Sequence, residues 1–200
     1  MKKDFVYLAS ASPRRSELLR QIGVPFEVRP AAIPEEPSPL EEPEAYVRRL
    51  AAAKAEAVWA ALGQHELRAV LAADTAVVLD GAVLGKPADL RAATAMLERL
   101  SGRSHRVLTA VALRCGASVE TLLSESEVRF RATTAAERLA YCATGEPFDK
   151  AGGYGIQGHA AVFVESLRGS YSGVVGLPLF ETAALLTRGG VGFWLTARAA

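Results

Sequence analysis

Val70-Leu71-Ala72-Ala73-Asp74-Thr75-Ala76-Val77-Val78-Leu79-Asp80-Gly81-Ala82-Val83-Leu84 reads as a strand, a turn and a returning strand. The run from Val70 to Leu79 is apolar except at Asp74-Thr75, too short and too β-branched for a helix of its own. Asp80-Gly81 is a favoured two-residue hairpin pair, so Ala82 to Leu84 folds back on the first arm. That return brings Ala72-Ala73-Asp74-Thr75 near Gly85-Lys86-Pro87, so a carboxylate and an ammonium can face one cleft.

Elements alternate on the N-terminal side of this hairpin. Asp4 to Ala9 reads as a buried strand, and Pro13 to Gln21 as a helix with Ser12 as its cap and Gly23 at its end. Phe26 to Arg29 reads as a second strand. Ala31 to Pro43, with four prolines and several glutamates, reads as a mobile connection. From Pro43 to Leu62 the spacing of Tyr46, Val47, Leu50, Ala53, Ala57 and Val58 predicts an amphipathic helix closed by Gly63. On the C-terminal side the pattern predicts a helix from Leu90 to Leu100, long strands at Arg106 to Arg114 and Glu120 to Arg131 joined near Gly116, and a helix from Thr134 to Ala143. A glycine-dense loop at Gly152 to Gly158, a strand from Ala161 to Leu167 and a helix after Gly176-Leu177-Pro178 complete the chain. Alternation followed by adjacent strands implies an α/β fold, a mixed sheet with helices packed on it. The apolar residues are spread evenly over 200 positions, which predicts one domain spanning residues 1–200.

Composition narrows the function. A formal charge of +1 removes the broad electrostatic argument for nucleic-acid binding, so any cations that matter are local. No apolar run reaches the roughly 20 residues of a membrane span, and the N-terminus is a poor signal peptide. Cys115 and Cys142 stand alone, which predicts a reduced, cytoplasmic setting; His65, His105 and His159 are equally scattered and read as surface or structural.

Four clusters carry chemistry. In Leu8-Ala9-Ser10-Ala11-Ser12-Pro13-Arg14-Arg15, hydroxyls and guanidiniums sit where a strand meets a helix N-terminus, which favours an anion. The same residues also suit a plain cap and a solvated first turn. Asp74 suits a metal ligand or a base that orients water, with Lys86 neutralising phosphate charge; a bulge and an ordinary turn are the plainer alternative. Asp149-Lys150-Ala151-Gly152-Gly153-Tyr154-Gly155-Ile156-Gln157-Gly158 lets backbone approach a ligand, and the Gln157 amide can read a base edge. Gly169-Ser170-Tyr171-Ser172-Gly173-Val174-Val175-Gly176-Leu177-Pro178 suits a second phosphate contact, a dimer contact or a tight connection. Glu35, Glu36 and Lys54, the last on an alanine-rich helix face, are further candidates. The chain has neither G-x-x-x-x-G-K-[ST] nor a G-x-G-x-x-G after a strand, so a nucleotide enzyme here is of another type.

In this order and spacing the clusters, together with Leu84-Gly85-Lys86-Pro87 and Leu100-Ser101-Gly102, resemble the Maf family, some of whose members are named septum formation inhibitors. The resemblance implies a long, bent mixed sheet with two lobes and a central cleft, similar to inosine triphosphatase. It implies hydrolysis of a nucleoside triphosphate between the α- and β-phosphates with a divalent cation, Mg2+ or Mn2+. Position by position it implies Asp74 as proton acceptor beside Lys54 and Lys86, Asp74 and Glu35 as metal ligands, and Ser10, Arg14, Arg15, Thr75 and Gln157 against the substrate. A homodimer is also implied, with no nucleic-acid or membrane partner. Ser12-Pro13-Arg14-Arg15, Asp74-Thr75 and Gln157-Gly158 resemble the branch acting on dTTP and UTP; relatives acting on 7-methyl-GTP carry Ser-Pro-Trp-Arg, Asp-Gln and a glutamate before the glycine. Gly153 and Gly173 depart from the usual larger residues, and Pro34 precedes Glu35. One rival expectation is a nucleotide-sensing regulator of division without multiple turnover; another keeps the enzyme and takes modified uridine triphosphates as its substrates.

Overall fold

The computed structural model describes residues 5–38, 40–63 and 68–194. One seven-stranded sheet forms the spine: β1 (Val6–Leu8), β2 (Phe26–Val28), β3 (Val70–Leu79), β4 (Ala82–Leu84), β5 (Ser104–Cys115), β6 (Ser118–Phe130) and β7 (Val164–Arg168). Its order is β2-β1-β3-β5-β6-β7, with β4 pairing β3 alongside β1's side; β1 is parallel to β2 and β3, and the other pairs are antiparallel. The mixed sheet is the one the sequence predicts. Asp80 and Gly81 both have positive φ, 53° and 78°, as the two-residue turn requires.

The helices are α1 (Pro13–Gln21), α2 (Pro43–Leu62), α3 (Leu90–Leu100), α4 (Ala135–Ala143), α5 (Tyr171–Val175) and α6 (Leu179–Arg188). The period of α2 explains its place: Val47, Leu50, Ala51, Lys54, Ala55 and Val58 are its buried stripe. Alanines there meet alanines of the sheet, Ala72, Ala76, Ala110 and Ala112, so helix and sheet approach closely. The opposite sheet face carries two separate cores. One joins β1 and β3 to α1 and α6 through Leu8, Leu19, Leu71, Ala73, Val111 and Leu185. The other joins the far ends of β3 and β5 to α3 and α4 through Val77, Leu97, Val107, Phe130 and Tyr141. Along β3 this face reads Ala73, Thr75, Val77, and along β5 Val111, Thr109, Val107; Thr75 and Thr109 are directly paired. The core therefore breaks into two lobes at one pair of hydroxyls, because both strands turn polar at the same register.

Several boundaries move. β5 and β6 are longer than their alternation suggests, running to a tight turn at Gly116, where φ is 59°. The strand expected from Ala161 starts at Val164, after a 3-10 turn at His159–Phe163. Two further 3-10 turns, Glu146–Asp149 and Ala151–Gly153, structure what reads as a plain glycine loop, and α5 occupies the expected tight connection. The expected first strand is shorter, and its Asp4, like His65, lies outside the described residues. The expected mobile connection is instead tied to α2: Tyr46 donates to the Glu35 carbonyl at 2.7 Å, and Arg49 grips both Glu41 carboxylate oxygens at 2.6 Å while reaching the Glu36 carbonyl. Among the described residues no helix is long and apolar enough to cross a membrane.

Candidate active site

The cleft begins as a gap in hydrogen bonding. β1 pairs with β3 at Val70 and Leu71, β4 pairs with it at Val77 to Leu79, and residues 72–76 have no strand partner on that edge among the described residues. Side chains alternate across the sheet, so Asp74 points toward α2 and Thr75 toward α1 and α5. Both stand just beyond the carboxyl end of β1, where ligands of open α/β sheets collect.

On the α2 face, Lys54 belongs to the buried stripe and is only 8% exposed. A lysine there is tolerable only if paired. Its ammonium lies 2.7 Å from Asp74 Oδ1 and 2.6 Å from Glu35 Oε1. Burial pushes the Asp74 carboxyl upward from the usual aspartate range, opposed by Lys54 and Arg15. Burial acts the same way on the half-exposed Glu35, but the Lys54 hydrogen bond and charge, with Lys86 and Arg15, outweigh it and leave that carboxyl lowered. The two acids of one site are thus driven apart, Asp74 toward the proton and Glu35 away from it.

On the other face, Arg15 is held by three oxygens of its own chain: Nε donates to the Gly176 carbonyl at 2.7 Å, Nη1 to Ser10 Oγ at 3.2 Å and Nη2 to Thr75 Oγ1 at 3.3 Å. Thr109 Oγ1 donates to the Gly173 carbonyl at 2.7 Å, so its only proton is used; at 3.0 Å, Thr75 must donate to Thr109 and accept from Arg15. A guanidinium has five N–H groups, which leaves two for a ligand. Arg15 is therefore first a tie between α1, β3 and the α5–α6 connection. Among the described residues Arg14 has one partner, Asp149, at 3.5 Å. Ser12 takes the N-cap position of α1, yet its hydroxyl makes no cap hydrogen bond. Among the described residues, Lys86 and Gln157 have no hydrogen-bond or ion-pair partner in the chain.

These groups share one cavity of about 860 Å³, lined by Arg14, Arg15, Glu35, Lys54, Asp74, Thr75, Lys86 and Gln157. Of the residues predicted from sequence, only Ser10 is not in the lining, and it acts through Arg15. Sequence reasoning missed Glu146 and left Asp149 and Lys150 without a role, although all three line the cavity. Glu146 carries no local motif, and only the fold brings it there. His105 stays out of the chemistry: it is buried with Nε2 2.7 Å from the Tyr154 hydroxyl, and burial pulls it down to about 4.

Among the described residues five cationic and five carboxylate side chains line this space, so the wall they form is nearly neutral. A triphosphate carries about four negative charges and needs further positive charge for neutralisation. Asp74 and Glu35 already converge on one cationic centre, the Lys54 ammonium. Two carboxylates completed by phosphate oxygens and water are the usual surroundings of Mg2+, so this donor set fits a hard divalent ion bound together with its ligand. Among the described residues no group of three His, Cys, Asp or Glu side chains could hold a metal without such help.

A mixed α/β sheet with a split edge, an acid whose proton affinity burial raises, and arginines and lysines facing one nucleotide-sized cavity define a class: phosphate-ligand proteins equipped for acid–base chemistry. Residues 5–189 match the family described as Maf-like protein, and the chain belongs to that family. It is similar to three relatives, each named dTTP/UTP pyrophosphatase. The one from Aromatoleum aromaticum is 55% identical, over 90% of this chain and 93% of the relative. The one from Nitrosomonas europaea is 50% identical, over 93% and 95% respectively. The third, from Burkholderia pseudomallei, is 54% identical over 94% and 95%.

Proposed function

We propose that this chain is a nucleoside triphosphate pyrophosphatase that hydrolyses dTTP and UTP to the monophosphate and pyrophosphate. The reading is carried by one observation: Arg14, Asp74 and Lys86, 72 residues apart at the extremes, line a single cavity. The relatives' shared name supplies the substrate class.

In this mechanism Asp74 accepts the proton of the attacking water. Its raised proton affinity makes it a better base than an ordinary aspartate, while Lys54 and Arg15 favour its ionised form. Lys54 also holds Glu35 in place through the 2.6 Å ion pair. Arg14 and Lys86, neither buried by strong internal pairing, bind phosphate oxygens and meet the charge that develops on departing pyrophosphate. Arg15 offers its two remaining N–H groups to the same anion while tying α1, β3 and the α5–α6 connection together. Asp74 and Glu35 would hold a divalent cation, Mg2+ or Mn2+, which would supply charge neutralisation of the triphosphate. Thr75 and Gln157 face the nucleoside, where apolar lining from Val107, Ile156 and Val174 suits a flat base. We also propose the homodimer implied by the resemblance, which light scattering tests as twice the 21.2 kDa chain mass.

The test is pyrophosphate release over a panel of canonical and modified triphosphates, with and without EDTA. Multiple turnover confined to thymine and uracil nucleotides and lost in EDTA is expected. Stoichiometric binding without turnover would replace the enzyme with a nucleotide sensor.

A further inference from the structure

Among the described residues Gln157 has no hydrogen-bond partner, yet the segment that carries it is held at both ends. The Gly155 backbone N–H faces the Tyr141 phenol oxygen and interacts with it electrostatically. Two residues past Gln157, the His159 N–H donates to Glu146 Oε2 at 2.9 Å, with the His159 ring nitrogen Nδ1 at the same distance. Tyr141 in turn donates to Glu146 Oε1 at 3.0 Å, so both anchors end on one linked pair of side chains. The fit is tight. A Cβ placed on Gly158 would fall within the Glu146 carboxylate, and one on Gly155 would come 2.8 Å from Lys150 Cε. Gly158 has an ordinary negative φ, so what demands glycine there is the carboxylate beneath it.

We infer that Tyr141 and Glu146 form a positioning pair, a template over which residues 155–159 fold so that Gln157 is presented to the base of the nucleotide. This rests on the proposed base-reading role of Gln157. Neither side chain of the pair is hydrogen-bonded or ion-paired to Asp74, Lys54, Arg14 or Lys86. Loss of the pair therefore weakens recognition of the nucleoside and leaves recognition of the phosphates intact.

The experiment is a double-mutant cycle. Glu146→Gln, Tyr141→Phe and Gln157→Ala, singly and combined, are assayed for dTTP kinetics and for inhibition by inorganic tripolyphosphate, which has phosphates and no base. Tyr141→Phe keeps the ring packed on Phe163 and removes only the hydroxyl, so it serves if Glu146→Gln folds poorly. Each single variant is expected to raise KM for dTTP about tenfold, the effect of one displaced hydrogen-bonding group, with tripolyphosphate inhibition within about twofold of wild type. In the Gln157→Ala background the Glu146 and Tyr141 changes should add little more. Losses that multiply in the double variants, or an equal weakening of tripolyphosphate inhibition, overturn the positioning role. If Gln157→Ala itself leaves the KM for dTTP unchanged, the base-reading assignment fails instead, and the inference falls with it.

Discussion

Replacing Asp74 by Asn tests the proposed chemistry with the least structural disturbance. The amide keeps the side chain's shape, and one of its groups can still lie near Lys54, 2.7 Å from the present carboxylate oxygen. What it cannot do is take a proton. A positioned general base contributes roughly 10²- to 10⁴-fold, and at 1.36 kcal/mol per decade this amounts to roughly 3 to 5 kcal/mol of barrier. A fall in kcat of that size is expected in a pyrophosphate-release assay, with a much smaller change in KM because Arg14 and Lys86 remain. Stability should move little, since two effects oppose. Burial raises the Asp74 pKa, so the folded state holds this proton more tightly than the unfolded chain, and ionised Asp74 costs stability above its unfolded value of 3.8. Asparagine removes that cost but leaves buried Lys54 with Glu35 alone. The acid limb of the wild-type kcat/KM profile should sit above the ordinary aspartate range and vanish in the variant. Wild-type turnover by Asp74→Asn, or an unchanged acid limb, refutes the role.

Lys54→Met should be more damaging to the fold: it leaves two neighbouring carboxylates without their shared ammonium, and losing a buried ion-pair partner costs about 3 to 5 kcal/mol. Its melting temperature should fall at neutral pH and partly recover in mild acid, where Asp74 takes up a proton. The two arginines should separate, Arg14→Ala raising KM for dTTP with little change in melting temperature, and Arg15→Ala losing both, because Arg15 ties Ser10, Thr75 and Gly176 together. Thr109→Val, at a position with no exposure, should lower stability by about 1 to 3 kcal/mol in denaturant titration by stranding the Gly173 carbonyl and Thr75, and Thr109→Ser should restore it. Glu35→Gln should raise the Mg2+ concentration giving half-maximal activity by about tenfold while leaving saturated kcat within a few-fold, if Glu35 binds metal as one of two protein carboxylates.

Local chemistry made some elements readable to the residue. Pro43 at the first turn and Gly63 after the last, with φ of 85°, bracket α2 as the sequence predicts, and Asp80-Gly81 fixes both arms of the β3–β4 hairpin. Leu90–Leu100 is equally well marked, with Asp89 capping the Ala92 N–H at 2.7 Å. The starts of β5 and β6 were not readable, because ladder pairing rather than alternation carries them back to Ser104 and Ser118. The proline-rich connection looks mobile from composition, and only Tyr46 and Arg49, on a helix that follows it, tie it down. Of the site, Arg14, Asp74 and Lys86 were legible because each lies in a short pattern at an element end. Lys54 stood out as a cation on an alanine face, but its grip on both acids depends on helix-to-sheet distance. Glu146 was invisible for a similar reason: its meaning comes from Gly155 to His159 folding over it, a contact spanning 13 residues without any periodic signal.

The claim under everything else is that one cavity directs water to the α-phosphorus of a nucleoside triphosphate. Hydrolysis of dTTP in ¹⁸O-labelled water, followed by mass spectrometry of both products, measures that directly. The account predicts one labelled oxygen in dTMP and none in pyrophosphate. Label in pyrophosphate, or release of orthophosphate instead, would contradict it.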